Sequence, residues 1–173
     1  GKIHSEYGYL KGTINPLNFY ALSKATVDYW VLDNMDRFEQ VQGFRYFNVY
    51  GEGEEHKGDQ ASPISKFTKQ AKETKIIKIF EDSEYAFRDF VCVDDIVDVV
   101  LDNTAGSGIY DVGTGNPISF LEIAELIAKK EGAEIEVIPF PKHLEGKYQE
   151  YTCADTSWYS HDYTKVSDYL KNI

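Results

Sequence analysis

With 173 residues, 42% of them hydrophobic and 27% charged, the chain is long enough to enclose a core of its own and ordinary in composition for a globular protein. Its formal charge of −11 argues against nucleic acid and anionic membrane as main partners, since both reward a basic surface. An anionic small molecule stays open, because a local cluster of Lys and Arg outweighs the net field at short range. No apolar run approaches the length of a membrane span, and no secretory leader pattern is visible, so the cytoplasm is the default expectation. Cys92 and Cys153 are too few and too widely spaced for a disulfide framework or a zinc pattern.

The chain opens on Gly1 rather than Met, and no periodic pattern appears up to Ile14. It reads as the rear part of a longer protein, cut inside a loop. Asn15 and Pro16 read as the cap and first residue of a helix running to about Asp36. Its apolar residues (Phe19, Leu22, Val27, Trp30, Val31, Met35) cover much of the circumference, which predicts burial on more than one side. Residues 43–50 read as an aromatic-rich strand, 51–59 as a charged loop and 61–73 as a helix. A strand at 76–80, a turn at 81–84 and a strand at 88–93 follow, with Asp94 and Asp95 capping a helix to about Asn103. A strand at 108–113 leads to a helix opened by the capping box Ser119/Glu122 and closed by Gly132. A strand at 135–138 precedes an irregular remainder with a short helix near 166–170. Alternating strands and helices give an α/β fold class.

Within the first helix, Tyr20 and Lys24 are four residues apart and share a face about one turn from each other. A nearby cation favours a phenolate, so this pair suits an acid/base that trades protons with a sugar hydroxyl while a hydride leaves the same carbon. The same spacing equally describes a solvated surface pair.

Tyr20-x-x-x-Lys24, Phe44-Arg-Tyr-Phe-Asn-Val-Tyr-Gly51, Arg88-Asp-Phe-Val91 and Tyr110-Asp-Val-Gly-Thr-Gly115 together resemble the extended short-chain dehydrogenase/reductases, the nucleotide-sugar epimerases and dehydratases. Finer features are similar to the branch that inverts carbon 6 of an ADP-activated heptose for lipopolysaccharide core supply. These are His56-Lys57-Gly58 with Ala61-Ser62, Phe80-Glu-Asp-Ser83, Ile138-Pro-Phe-Pro141, and Leu144-Glu-Gly-Lys-Tyr-Gln149 with Thr152 and Ala154-Asp155. The resemblance runs in order from Pro16 to about Asp155. It implies a redox epimerisation with tightly bound NADP, in which Tyr20 and Lys57 are the acid/bases on opposite faces of the reacting carbon. A lysine serves that role only where desolvation or a neighbouring cation favours its neutral form, so Glu54 and Glu55 are expected to turn away from it. The resemblance further assigns Lys24, Val49 and Lys57 to the cofactor, Asn48, Asp59 and Lys66 to the nucleotide-sugar substrate, Phe80, Glu81, Asp82 and Ser83 to the nucleotide, Arg88 to a diphosphate or ribose, and Tyr148 to the diphosphate or sugar. Taken alone, Asn48 also reads as a turn former, Arg88 as a surface ion pair and Lys57 as a solvated loop charge.

Three positions depart from the family pattern. Asp59 stands where the family has serine, Lys66 where it has histidine, and Asp82 where it has glycine. The glycine-rich turn that receives a pyrophosphate on a helix N-terminus is also absent from these residues. The serine or threonine upstream of the tyrosine is absent too. Residues 1–47 and 91–117 are therefore expected to form the rear of a Rossmann-like nucleotide domain. Residues 48–90 and 118–156 should form a smaller mixed α/β substrate domain, with 157–173 a C-terminal tail. Most of the cofactor surface would lie in an N-terminal half that these residues do not include, and the chain alone would turn over nothing. The apolar face left on the Tyr20 helix is expected to be covered by that half or by another copy in a homo-oligomer. Alternatives are a 4-epimerase or 4,6-dehydratase of the same superfamily, or a non-catalytic assembly module.

Overall fold

The computed structural model describes residues 16, 18–142 and 149–173. Five helices and eight short strands alternate along them: α1 (Phe19–Asp33), β1 (Gln42–Tyr46), β2 (Asn48–Tyr50), α2 (Pro63–Thr74), β3 (Ile76–Phe80), β4 (Phe87–Arg88), β5 (Phe90–Cys92), α3 (Val93–Asp102), β6 (Gly108–Val112), β7 (Ile118–Ser119), α4 (Phe120–Glu131), β8 (Glu134–Ile138) and α5 (Val166–Asn172). The α/β class expected from the alternation is the one observed. Three of the four strand pairings, β1 with β6, β2 with β5 and β3 with β8, are parallel, and β4 with β7 is antiparallel.

Local chemistry accounts for the clearest boundaries. Ser62 accepts from the Ser65 amide and Pro63 opens α2, where its missing N–H costs nothing. Ser119 accepts from the Glu122 amide at 3.0 Å, and Gly132 closes α4 in the left-handed region. Two helix caps differ from expectation, and the strand expected over 88–93 is split at Asp89 into β4 and β5. Helix α1 starts at Phe19 with the Asn18 side chain accepting from the Ala21 amide at 2.9 Å; Asn15 lies outside the described residues. Helix α3 starts one residue before Asp94, so neither Asp94 nor Asp95 is its cap. Asp95 is buried instead, accepting from the Thr164 amide and hydroxyl and lying 3.3 Å from His161 Nε2.

The strand expected over 43–50 is broken at Phe47. The chain stays extended there but changes partner: Tyr46 is in register with Val112 of β6, whereas Asn48 is in register with Phe90 of β5. Side chains along β2 and β5 consequently serve two cores. Tyr50, Phe90 and Cys92 enter a core built from α2, α4, β3 and α5, while Val91 and Val49 join Ile96, Val99 and Val112 in a second. The C-terminal segment packs on both, with Val166 and Leu170 in the first and Trp158, Tyr159 and Tyr163 against the second.

Burial, with the carboxylates of Asp89 and Asp95 adding to it, pushes the Tyr163 phenol up to about 12, and burial also raises Tyr50. An unfolded phenol ionises near pH 10. The neutral folded phenols thus add stability that is complete below about pH 10 and lost as the pH climbs through the folded value. Thermal melts between about pH 9 and 12 should show a declining midpoint, and Tyr163→Phe should flatten that decline.

The burial expected for α1 is not met among the described residues, from which its covering neighbours were expected to be missing. Of its residues only Ala25 is buried, and Phe19, Val27 and Trp30 are 91%, 59% and 53% exposed. Among the described residues its docking rests on Ala25, a few neighbours on β6 and one ion pair to β1.

Candidate active site

The first turns of α1 bring Tyr20 and Lys24 together as their spacing requires. The Lys24 ammonium stands 5.3 Å from the Tyr20 ring centroid, and the Tyr20 side chain is exposed. Its hydroxyl is therefore open to a ligand approaching α1.

Lys57 lies in a 3-10 segment (Glu55–Gln60) rather than a plain loop, bent by Gly58 at φ +53°. The expectation that Glu54 turns away fails. Its carboxylate is buried, accepts the Ser62 amide at 2.9 Å just ahead of α2, and lies 3.4 Å from Lys57 Nζ. The reason is local: an unpaired amide at the start of α2 draws the nearest carboxylate inward. Glu55 is exposed. No hydrogen bond or ion pair among the described residues joins Lys57 to Tyr20. Asp59 and Lys66 do meet, the Lys66 ammonium donating to the Asp59 carbonyl at 2.9 Å.

The residues expected to meet the nucleotide gather at the start of α4. Phe80 to Ser83 form a turn closed by the Ser83 hydroxyl on the Phe80 carbonyl at 2.6 Å, and the Ser83 carbonyl accepts from Leu121. Glu81 donates its amide to Ile138. Asp82 sits at φ +63°, a conformation glycine adopts freely and L-residues resist. That geometry explains why the family pattern has glycine here. Asp82→Val should lower stability by about 1–2 kcal/mol while Asp82→Gly leaves it nearly unchanged, read from denaturant midpoints. Arg88 is buried with its guanidinium 5.7 Å from the Phe120 ring centroid and one nitrogen donating to the Phe87 carbonyl. It is therefore not the exposed surface ion pair that its sequence also allowed. Asn48 and Val49 are half-buried on β2, Asn48 donating its amide to the Asp89 carbonyl at 2.9 Å. Tyr148 lies outside the described residues.

Asp89 was not singled out by sequence reasoning, yet it knits these parts together. Its carboxylate is wholly buried and accepts the Thr114 amide and hydroxyl, the Gly115 amide and the Ala154 amide, all between 2.7 and 2.9 Å. A charge inside the apolar run Phe87 to Val93 was the available signal, since a buried carboxylate must find donors. A cavity of about 740 Å³ lies between Phe90, the 114–118 turn, α4 and residues 156–167, and none of the expected site residues lines it.

Residues 2–113 match the model of the NAD dependent epimerase/dehydratase family. The chain belongs to that family. Within it, the chain is 45% identical over 152 residues to an ADP-L-glycero-D-manno-heptose-6-epimerase from Alkalilimnicola ehrlichii, covering 82% of this chain and 48% of that protein. It is 46% identical over 147 residues to the protein of the same name from Brachyspira hyodysenteriae, covering 81% and 46%. Among solved structures, the Helicobacter pylori ADP-L-glycero-D-manno-heptose-6-epimerase superposes with a TM-score of 0.73 at 27% identity, over 91% of this chain and 50% of that one. The chain thus spans about half the length of the epimerase/dehydratase relatives it matches. No helix among its described residues is long and apolar enough to cross a membrane.

Proposed function

We propose that this chain carries the acid/base machinery of an ADP-glycero-manno-heptose 6-epimerase. The observation that supports this most is the exposed Tyr20 hydroxyl with the Lys24 ammonium one turn away, in a chain 45% identical to an enzyme of that name. The donor set also fits the ribose and nicotinamide end of NADP: Lys24 offers an ammonium to paired hydroxyls, and Val49 gives an apolar edge beside β5. When bound, the nicotinamide supplies a reversible hydride acceptor. Tyr20, as phenolate held beside Lys24, takes the proton of the carbon 6 hydroxyl as the carbonyl forms. After the ketone presents its other face, Lys57 gives a proton to the oxygen while the hydride that the bound nicotinamide would hold returns to carbon 6 on that face, so the configuration is inverted.

In this reading Asn48, Asp59 and Lys66 hold the sugar, and Phe80 to Ser83, Arg88 and Tyr148 hold the nucleotide and diphosphate. The two apolar cores correspond to a nucleotide unit and a substrate unit meeting along β2 and β5. The uncovered face of α1 is an interface, either with the rest of a longer polypeptide or with a second copy. A basic surface for nucleic acid is not part of the reading.

Lys57→Ala separates this reaction from other sugar-nucleotide chemistry. Assayed in the active enzyme with ADP-heptose, the variant should lose inversion at carbon 6 while still exchanging deuteride with the substrate. An unchanged inversion rate would remove Lys57 from the chemistry, whereas turnover of a UDP- or dTDP-hexose in place of ADP-heptose would favour a 4-epimerase or 4,6-dehydratase.

A further inference from the structure

Tyr20, Lys24 and Asp28 recur every four residues, so the three line one face of α1 over about 12 Å. Asp28 is the anchored end of that line. Its Oδ2 accepts from Arg45 Nε at 2.8 Å, and both side chains are more than four-fifths buried. Arg45 stands in the middle of β1, directly in register with Asp111 of β6. A second guanidinium nitrogen reaches Asp111 Oδ1 at 3.5 Å, and the other oxygen of Asp111 accepts the Asp155 amide. One planar fork therefore ties α1, β1, β6 and the C-terminal segment together. Ala25 is the only fully buried residue of α1, so among the described residues this fork is a main tether of the helix.

We infer that Arg45 is a positioning residue for the Tyr20/Lys24 pair, a role that rests on the function proposed above. Two physical effects combine in it. The ion pair sets the rotation of α1 about its axis, and with it the direction in which the Tyr20 hydroxyl points. It also occupies Asp28, the carboxylate one turn beyond Lys24 on the same face. Without Arg45, Asp28 is within i,i+4 reach of the Lys24 ammonium and draws it away from Tyr20. The charged groups facing Asp28 are Arg45 from β1, Asp111 from β6 and Lys24 on its own helix; Asp155 joins the cluster through its amide on Asp111.

Two measurements on Arg45→Gln and Asp28→Asn test this. In the 173-residue chain, amide hydrogen exchange along Ala21–Asp33 should quicken by about ten-fold or more while α2 keeps its wild-type protection. In the active enzyme, kcat should fall about ten- to a hundred-fold with KM for the sugar nucleotide moving less than about two-fold, because misplacement of the acid/base affects the reacting step. The Arg45→Gln/Asp28→Asn double variant should be no slower than the worse single one. Wild-type kcat in both single variants, an additive double variant, or unchanged exchange along α1 would each overturn the assignment. If Arg45→Gln does not fold, Asp28→Asn, which leaves Arg45 on Asp111, carries both readouts. A wild-type enzyme that inverts no sugar nucleotide would sink the proposed function, and the exchange measurement would still decide whether Arg45 anchors α1.

Discussion

Asp89→Ala is expected to lower the stability of the chain by about 3–5 kcal/mol, a large share of what a domain of this size has. The carboxylate receives four hydrogen bonds from Thr114, Gly115 and Ala154 and has no contact with solvent. Truncation leaves three backbone amides without acceptors in a space too closed for easy repair, each costing about 1–3 kcal/mol. Asp89→Asn is the milder case, since it keeps an oxygen on one side and turns an NH2 group toward donors on the other. Chemical denaturation monitored through Trp30 and Trp158 should rank the proteins wild type, Asp89→Asn, Asp89→Ala. A similar midpoint for all three would show that the 114–115 turn and the Ala154 segment hold their places without the carboxylate.

Tyr20→Phe should reduce turnover by about 10²–10⁴-fold with little change in stability. The exposed phenol makes no hydrogen bond among the described residues, and its ring contacts are limited to Lys24. Its removal therefore affects proton transfer and leaves packing alone. KM for the sugar nucleotide and affinity for the nicotinamide cofactor should stay close to wild type, because the ring and Lys24 remain. A Tyr20→Phe enzyme within about ten-fold of wild-type kcat would remove this phenol from the chemistry and leave Lys57 to be tested as the principal acid/base.

How much of this could be read beforehand depended on the range of the interactions. Helices α2 and α4, strands β3, β6 and β8 and the turn at 81–84 follow from caps, periodicity and turn residues within a few positions of each other, and they lie where expected. The partner change at Phe47 did not show in the sequence, because β1 and β2 form one continuous aromatic run whose two partners lie far apart along the chain. The acids were legible as residues but not as hubs. Asp89 meets Thr114 at a separation of 25 and Ala154 at 65, and Asp95 meets Thr164 at 69. Glu54 was misread for a related reason: the role given to Lys57 required its carboxylate to turn away, whereas an unpaired amide eight residues on claims it. The apolar residues of α1 are uncovered among the described residues, where the partners expected to cover them are not present.

Asp89, Asp111 and Asp95 each take a backbone amide from the segment holding Ala154, Asp155 and Thr164, which is made well after the carboxylates it serves. While that segment is still inside the ribosome, the three carboxylates have no such donors and the second core has not received Trp158 or Tyr163. The polypeptide should therefore stay sensitive to protease on ribosomes stalled before residues 154–164 emerge and become resistant once they have, however early its helices form.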